Sequence, residues 1–473
     1  MGLTESNIDN NLYFEIVKVN SDIDKVKSLI NKNNINEKSF NKYPLSASVE
    51  YNKTEIVNFL MDYAKTYHIV LDINDRDLYG RSLIYKAISN KNTEMVKLLM
   101  DYAMDNNITL DIKDKDSNGM YPLLLAINDN NIEMVKALID YANEKNISLN
   151  IFDKYQYVRY HCYYVHLENT VCPLMKAVKN DTIEIVKLLM AYANKHNIIL
   201  NINEKDMENN YPILMAACNN NIEMIKLLMD YASEKDLVLN INEKYIRYHR
   251  GMNKKDYPLI VATKKNNIEM AKLLIDYANK NNIVLIINDK NEYGHYPFLM
   301  AVYNNNIEMA KLLIDYANKK DIVLDITSSN VRYVFPLFMA IENNNIEMFK
   351  LLLDYAIEKN ISLNINEKHI FDSTWVSCVS TENNRNYPFL KAVYKNNIEI
   401  VKLLMDYANK KNILLNIKDQ NCDKIYPLSK ALNNNNIEIV ELILDYANEK
   451  DITLDVYPDI NKKINTLNID QVI

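Results

Sequence analysis

The peptide NNIEMAKLLIDYANK stands at 266–280 and recurs letter for letter at 305–319, and close variants run through most of the chain. Aligned on the residue that opens each YPLLLA-like segment, the units begin at Pro44, Leu83, Pro122, Pro173, Pro212, Pro258, Pro297, Pro336, Pro388 and Pro427. Most gaps are 39 residues, and three are longer by 12, 7 and 13. A shorter unit, 12–30, precedes the first. A fixed period of this size marks a brick that buries its oily side only against its neighbours. At 473 residues the chain is also longer than one compact core organises.

Each brick reads as two helices and an extended piece. In 121–151, Tyr121-Pro122 is an extended dipeptide, and Pro122 suits a first helical turn. Leu123 to Ile127 make a short apolar helix. Asn-Asn follows, and Asn tolerates the left-handed conformation that closes a helix. Asn130 with Glu133 three residues on has the spacing of a capping box. Ile132, Val135, Leu138, Ile139 and Ala142 then fall at helical spacing. Ile147, Leu149 and Ile151 alternate with period two and predict a short strand.

These bricks resemble the ankyrin repeat, from about residue 12 to 455. Tyr296-Pro297-Phe298-Leu299 stands where that family has its helix-opening turn. Asn306-Ile307-Glu308-Met309-Ala310-Lys311-Leu312-Leu313 stands for the start of its second helix, and Asp77 and Gly80 in DLYG for its hairpin. The Thr and His of the family's turn are mostly missing here, and Asn replaces the helix-closing Gly. The family unit has about 33 residues. The extra ones fall after helix two, which predicts a longer second helix and a more regular strand. The resemblance implies an all-α solenoid of 10–11 helix pairs with short β or hairpin fingers. Residues 1–38 then form a tail and capping repeat, 39–455 ten repeats in one solenoid, and 456–473 a C-terminal capping segment or tail.

Several chemistries are excluded or disfavoured. The five glycines, at 2, 80, 119, 251 and 294, are solitary, so no phosphate-cradling loop exists. Asp114 to Gly119 imitates half a calcium loop, but Leu125 takes the place of the bidentate Glu, so it reads as a turn. His161, Cys162, His166 and Cys172 lack zinc spacing, and Cys172 holds a slot that is Tyr in most bricks. No acid–base pair stands out, so neither an enzyme nor a cofactor is expected. A net charge of −7 disfavours a general polyanion binder. Five scattered cysteines read as reduced thiols, and MGLTESNIDNN lacks the apolar core of a secretory signal. The expectation is a cytoplasmic, monomeric protein without a membrane span. MGLTES also fits the loose acylation pattern at Gly2.

Function then sits in what does not repeat. Three insertions, 152–170, 243–256 and 367–386, lie between the extended piece and the next brick. The first carries Arg159, Tyr160 and His161. The second carries Arg247, Tyr248, His249 and Arg250, and the third holds the single tryptophan, Trp375. Arg332 and Tyr333 repeat the phrase in a loop of ordinary length. All seven arginines lie in inter-repeat loops. Arg, Tyr and Trp dominate binding hot spots, although Tyr-rich loops also suit a cover over the stack. A second set is the last column of helix one: Glu50, Ser89, Asn128, Lys179, Cys218, Lys264, Tyr303, Glu342, Tyr394 and Asn433. In ankyrin-like stacks this column faces the concave groove, which singles out Tyr303 and Tyr394 as anchors. The expected role is a scaffold or adaptor for a protein partner. The alternative is nucleic-acid binding through the Arg/Tyr fingers.

Overall fold

The computed structural model describes residues 6–153, 155–161, 164–206, 208–244, 247–249, 252–331, 334–368, 386–421 and 423–454. Side chains are described from residue 12 onward, outside 154–170 and 245–254. The described residues hold 22 helices in eleven pairs. They divide between two compact units, Met1–Leu239 and Asn240–Ile473. In each unit successive pairs stack helix one on helix one and helix two on helix two. The first pair, Ser6–Val17 and Ile23–Leu29, is the short leading unit. Every later pair has a 7-residue first helix and a 13-residue second one, for example Pro297–Tyr303 and Ile307–Lys319. Pro opens nine of these first helices, where its missing N–H costs nothing.

Helix two of each brick is amphipathic, and its inner face is fully buried. Met309, Ala310, Leu313 and Ala317 are 0% exposed. Burying one such large side chain contributes about 1.5–3 kcal/mol. Much of the surface covering it comes from the neighbouring bricks, so the pairs depend on one another.

The NNN run assigns a different job to each asparagine. Asn304 ends helix one and donates its amide to the carbonyl of Thr263 in the preceding brick, at 2.8 Å. Asn305 takes the left-handed conformation, φ 55°. Asn306 accepts from Met309 N at 2.9 Å, capping helix two, and donates to Asn305's counterpart Asn266 at 2.7 Å. Asn305 accepts in turn from Asn345 at 2.7 Å, so the amides form a ladder through successive bricks. Here the sequence reading needs correction. In 121–151 the cap is Asn131, which accepts from Met134 N. Asn130 is the left-handed residue, φ 57°. Glu133 closes no box but meets Lys97 of the preceding brick at 2.5 Å. A second left-handed residue follows helix two, Asn146 at φ 55° and Asp321 at φ 54° among them. With it, the Ile147 N–H reaches back to Ala142 O at 2.8 Å, the closure usually made with Gly. Asn and Asp tolerate this conformation better than other side chains, so the chain needs few glycines.

The expected strand at 147–151 does not form. Ile147 to Ile151 is extended, but no neighbouring strand pairs with it. A tyrosine from the next brick satisfies its backbone instead. The Tyr192 hydroxyl accepts from Leu149 N at 2.9 Å and donates to Ile147 O at 3.1 Å. Tyr102 and Tyr141 do the same for Leu71 and Leu110, and Tyr407 for Leu363. A phenol both donates and accepts, so one side chain staples two backbone groups that a strand ladder would otherwise pair. The alternation that predicted a strand thus reports one-sided burial alone: Leu149 and Ile151 are 5% and 2% exposed.

Candidate functional site

On the outward face of helix two, charges three residues apart in the brick pair between neighbouring bricks. Lys272 meets Glu308 at 2.7 Å, Lys311 meets Glu347 at 2.8 Å, and Lys402 meets Glu438 at 2.7 Å. Lys97–Glu133 and Lys187–Glu223 repeat the pattern in the first unit. Each exposed pair contributes little energy, but each commits one lysine of the face to a carboxylate. The tyrosines that open helix one are likewise internal. Tyr121, Tyr257, Tyr296 and Tyr387 are 0% exposed and donate to Asp153 O, Asp289 O, Ser328 O and Asp419 O. Burial holds all four phenols well above their ordinary pKa.

Helix one shows where the brick leaves residues uncommitted. Its last column wanders, as the sequence indicates, and so does a column the sequence reading passed over. The fourth position reads Ala47, Lys86, Leu125, Lys176, Met215, Val261, Met300, Met339, Lys391 and Lys430. Fourth and seventh positions share a helix face. Leu, Met and Val there look like core residues in sequence, which is why the column was missed.

In the second unit this face combines apolar side chains with ion pairs. Val261 and Met300 are 5% and 8% exposed, and Met339 is half-buried. Tyr303, in the last column, is 53% exposed. On one side Lys264 meets Asp256 at 2.9 Å. On the other Glu342 holds Lys391 at 2.5 Å and Lys395 at 3.1 Å. Burial pushes the Glu342 carboxyl up, but the two ammonium groups outweigh it and hold it below the usual range. Tyr394 differs from Tyr303. It is half-buried, its hydroxyl accepts from Asn421 at 3.1 Å, and Lys430 lies 4.5 Å from its ring centre. In the first unit several charged members of the same columns are paired, while Lys176 is half-buried beside Lys179 and burial holds its ammonium below the usual range. Glu50 holds Lys42 and Lys86, and Lys179 meets the fully buried carboxylate of Asp206 at 2.5 Å.

Two arginines of the described loops are ion-paired. Arg76 joins its loop to the next through Asp111, and Arg81 meets Asp77 four residues earlier in its own loop, each at 2.7 Å. In the calcium-like stretch Asp116 instead accepts from Asn118 N and Met120 N and shapes a turn. Cys172 is buried and starts helix one in the usual Tyr slot. The first insertion forms an antiparallel hairpin, β1 (Tyr155–His161) with β2 (Tyr164–Val171). The second forms a shorter one, β3 (Arg247–His249) with β4 (Met252–Lys254). Arg159, Tyr160 and His161 are the last three residues of β1, and Arg247, Tyr248 and His249 make up β3. Arg250, Arg332, Tyr333 and Trp375 lie outside the described residues, as does Cys162.

No helix among the described residues is long and apolar enough to cross a membrane. A family model described as Ankyrin repeats (3 copies) matches residues 14–109, 150–241, 237–325 and 283–363, and one described as Ankyrin repeat matches 118–154. A search of the curated proteins found no match. The matched segments take in well over half of the residues and coincide with the stacked helix pairs, so the chain belongs to the ankyrin-repeat family.

Proposed function

We propose that this chain is an adaptor that binds a protein partner on the helix-one face of its second unit, with Tyr303 as the anchor. Ankyrin repeats are generic protein–protein interaction modules and are generally not enzymes. The observation that carries the finer reading is the contrast between positions. The recurring Asn run, the stapling tyrosine and the inner-face residues of the brick are tied into the ladder, the staples and the core. The fourth and seventh columns of helix one vary, and in the second unit they present a half-buried Met339 and a half-exposed Tyr303 between two ion-paired flanks. Methionine adapts its shape to a partner, and a tyrosine supplies area with a polar tip. The paired lysines of helix two speak against a nucleic-acid surface there. The buried Cys172 thiol suits a reducing cytoplasm.

The test is site-specific photo-crosslinking in the full chain, with the probe placed at Tyr303 or at Lys311 on the opposite helix. The expected result is a protein adduct at 303 and none at 311. Equal labelling at both, or no adduct at 303, overturns the assignment.

A further inference from the structure

The two described hairpins differ in length but carry one phrase in one place. The phrase Arg-Tyr-His begins ten residues after Leu149 in the first unit and eight after Leu239 in the second. On the return side eleven residues separate His161 from Pro173, and eight separate His249 from Pro258. Its distance from the stack therefore changes on both sides. Its distance from the turn does not. In each hairpin the phrase ends the outgoing strand, and two residues separate its histidine from the returning strand. A phrase kept for covering the stack would keep its distance from the base. This one keeps its distance from the tip.

The register adds the chemistry. In the first hairpin Arg159 faces His166 across the ladder and His161 faces Tyr164. In the second Arg247 faces Lys254 and His249 faces Met252. Directly opposed residues share a face, and so do residues two apart. One face therefore takes Tyr157, Arg159, His161, Tyr164, His166 and Glu168, and its counterpart takes Arg247, His249, Met252 and Lys254. The other face takes Val158, Tyr160, Val165 and Leu167 in one hairpin and Tyr248 and Asn253 in the other. Each hairpin thus places an arginine and a histidine together on one face at the end of its outgoing strand, in a chain of net charge −7.

We infer that the two hairpins are duplicate anion-reading fingertips whose ligand is an acidic segment of the protein partner. Arginine grips a carboxylate or a phosphate group with paired N–H donors, and either group on a peptide supplies the same chemistry. The chain's own acidity and the paired helix-two lysines favour a short acidic peptide over an extended polyanion. This inference rests on the reading of the chain as a protein-binding adaptor.

The experiment titrates the full chain against four labelled probes: a Glu-rich peptide, its Gln-rich counterpart, a phosphoserine version, and a single-stranded oligonucleotide of comparable charge. Fluorescence anisotropy reads binding, and thermal unfolding is followed for every variant. The Glu-rich or phosphoserine peptide is expected to bind and the Gln-rich one not, and comparison of the first two separates carboxylate from phosphate recognition. Arg159→Gln and Arg247→Gln are each expected to weaken binding roughly tenfold, with unfolding unchanged and Lys311→Gln without effect. An equal loss in Lys311→Gln, equal binding of the Gln-rich peptide, tighter binding of the oligonucleotide, or no binding overturns the inference. If these titrations fail while crosslinking at Tyr303 succeeds, only the fingertip inference falls. Failure of both removes the adaptor reading as well.

Discussion

Asn306 does two jobs at once, and substitutions can separate them. Its Oδ1 caps the helix at Met309 N, 2.9 Å, and its Nδ2 donates to Asn266 Oδ1, 2.7 Å. Losing an N-cap costs about 1 kcal/mol, and losing an exposed amide–amide bond costs about 0.5–1 kcal/mol. Asn306→Ala removes both and is expected to cost about 2 kcal/mol. Asn306→Ser keeps a capping oxygen and loses only the ladder donor, so about 0.5–1 kcal/mol. Its neighbour Asn305, at φ 55°, supplies the contrast. Asn305→Ala meets the left-handed penalty of about 1 kcal/mol or more and also deprives Asn345 of its acceptor. Asn305→Gly relieves the backbone and loses only the acceptor. Urea unfolding of the full chain gives the stabilities. Repeat arrays can lose cooperativity, so hydrogen exchange at the Met309 amide gives the local reading. Faster exchange is expected for Asn306→Ala and near-normal exchange for Asn306→Ser. Indistinguishable Ala and Ser variants at 306, or an Asn305→Gly as costly as Asn305→Ala, would refute this division of labour.

Two further outcomes follow from the geometry. Tyr192→Phe keeps the ring and removes the staple, leaving the buried Leu149 N–H without its partner. A loss of about 1–3 kcal/mol is expected, with faster hydrogen exchange at Leu149, whereas Tyr303→Phe on the exposed face should stay within about 0.5 kcal/mol. Gly294 and Gly119 both have positive φ, 72° and 85°. A Cβ at 294 would lie 2.7 Å from the Asn330 Cα, and one at 119 meets nothing within 4 Å. Gly119→Ala should therefore cost about 1–2 kcal/mol for conformation alone, and Gly294→Ala at least about twice as much, read as the difference between their melting temperatures.

The period of 39 made the architecture legible, because identical bricks with one oily side have few ways to bury it. The roles inside a brick were only half legible. The NNN run announced a turn and a cap, but which asparagine turns and which caps depends on backbone angles that the letters do not carry. The staple made by Tyr192 was not legible, since its hydroxyl finds partners that come 43 and 45 residues earlier in the chain. Ile147-x-Leu149-x-Ile151 looked like a strand because a period of two records sidedness, whatever supplies the hydrogen bonds. At the candidate face, Tyr303 stood out as a large residue in a wandering column. Met300 and Met339 did not, since methionine reads as interior. The Arg-Tyr-His phrase was visible as a repetition, while its constant place beside a two-residue turn required the strand register.

Within each unit the amide ladder and the phenol staples join bricks through donors and acceptors that most copies carry in the same places. Such a run is complementary to itself from brick to brick. Deleting or duplicating one copy within a run of bricks leaves the new junction with the same bonding groups as the old one. The verbatim identity of 266–280 and 305–319 is what a lineage that grows by copying whole units would leave behind. Length is therefore a freely variable trait in this molecule, one that heredity can adjust without inventing a new contact.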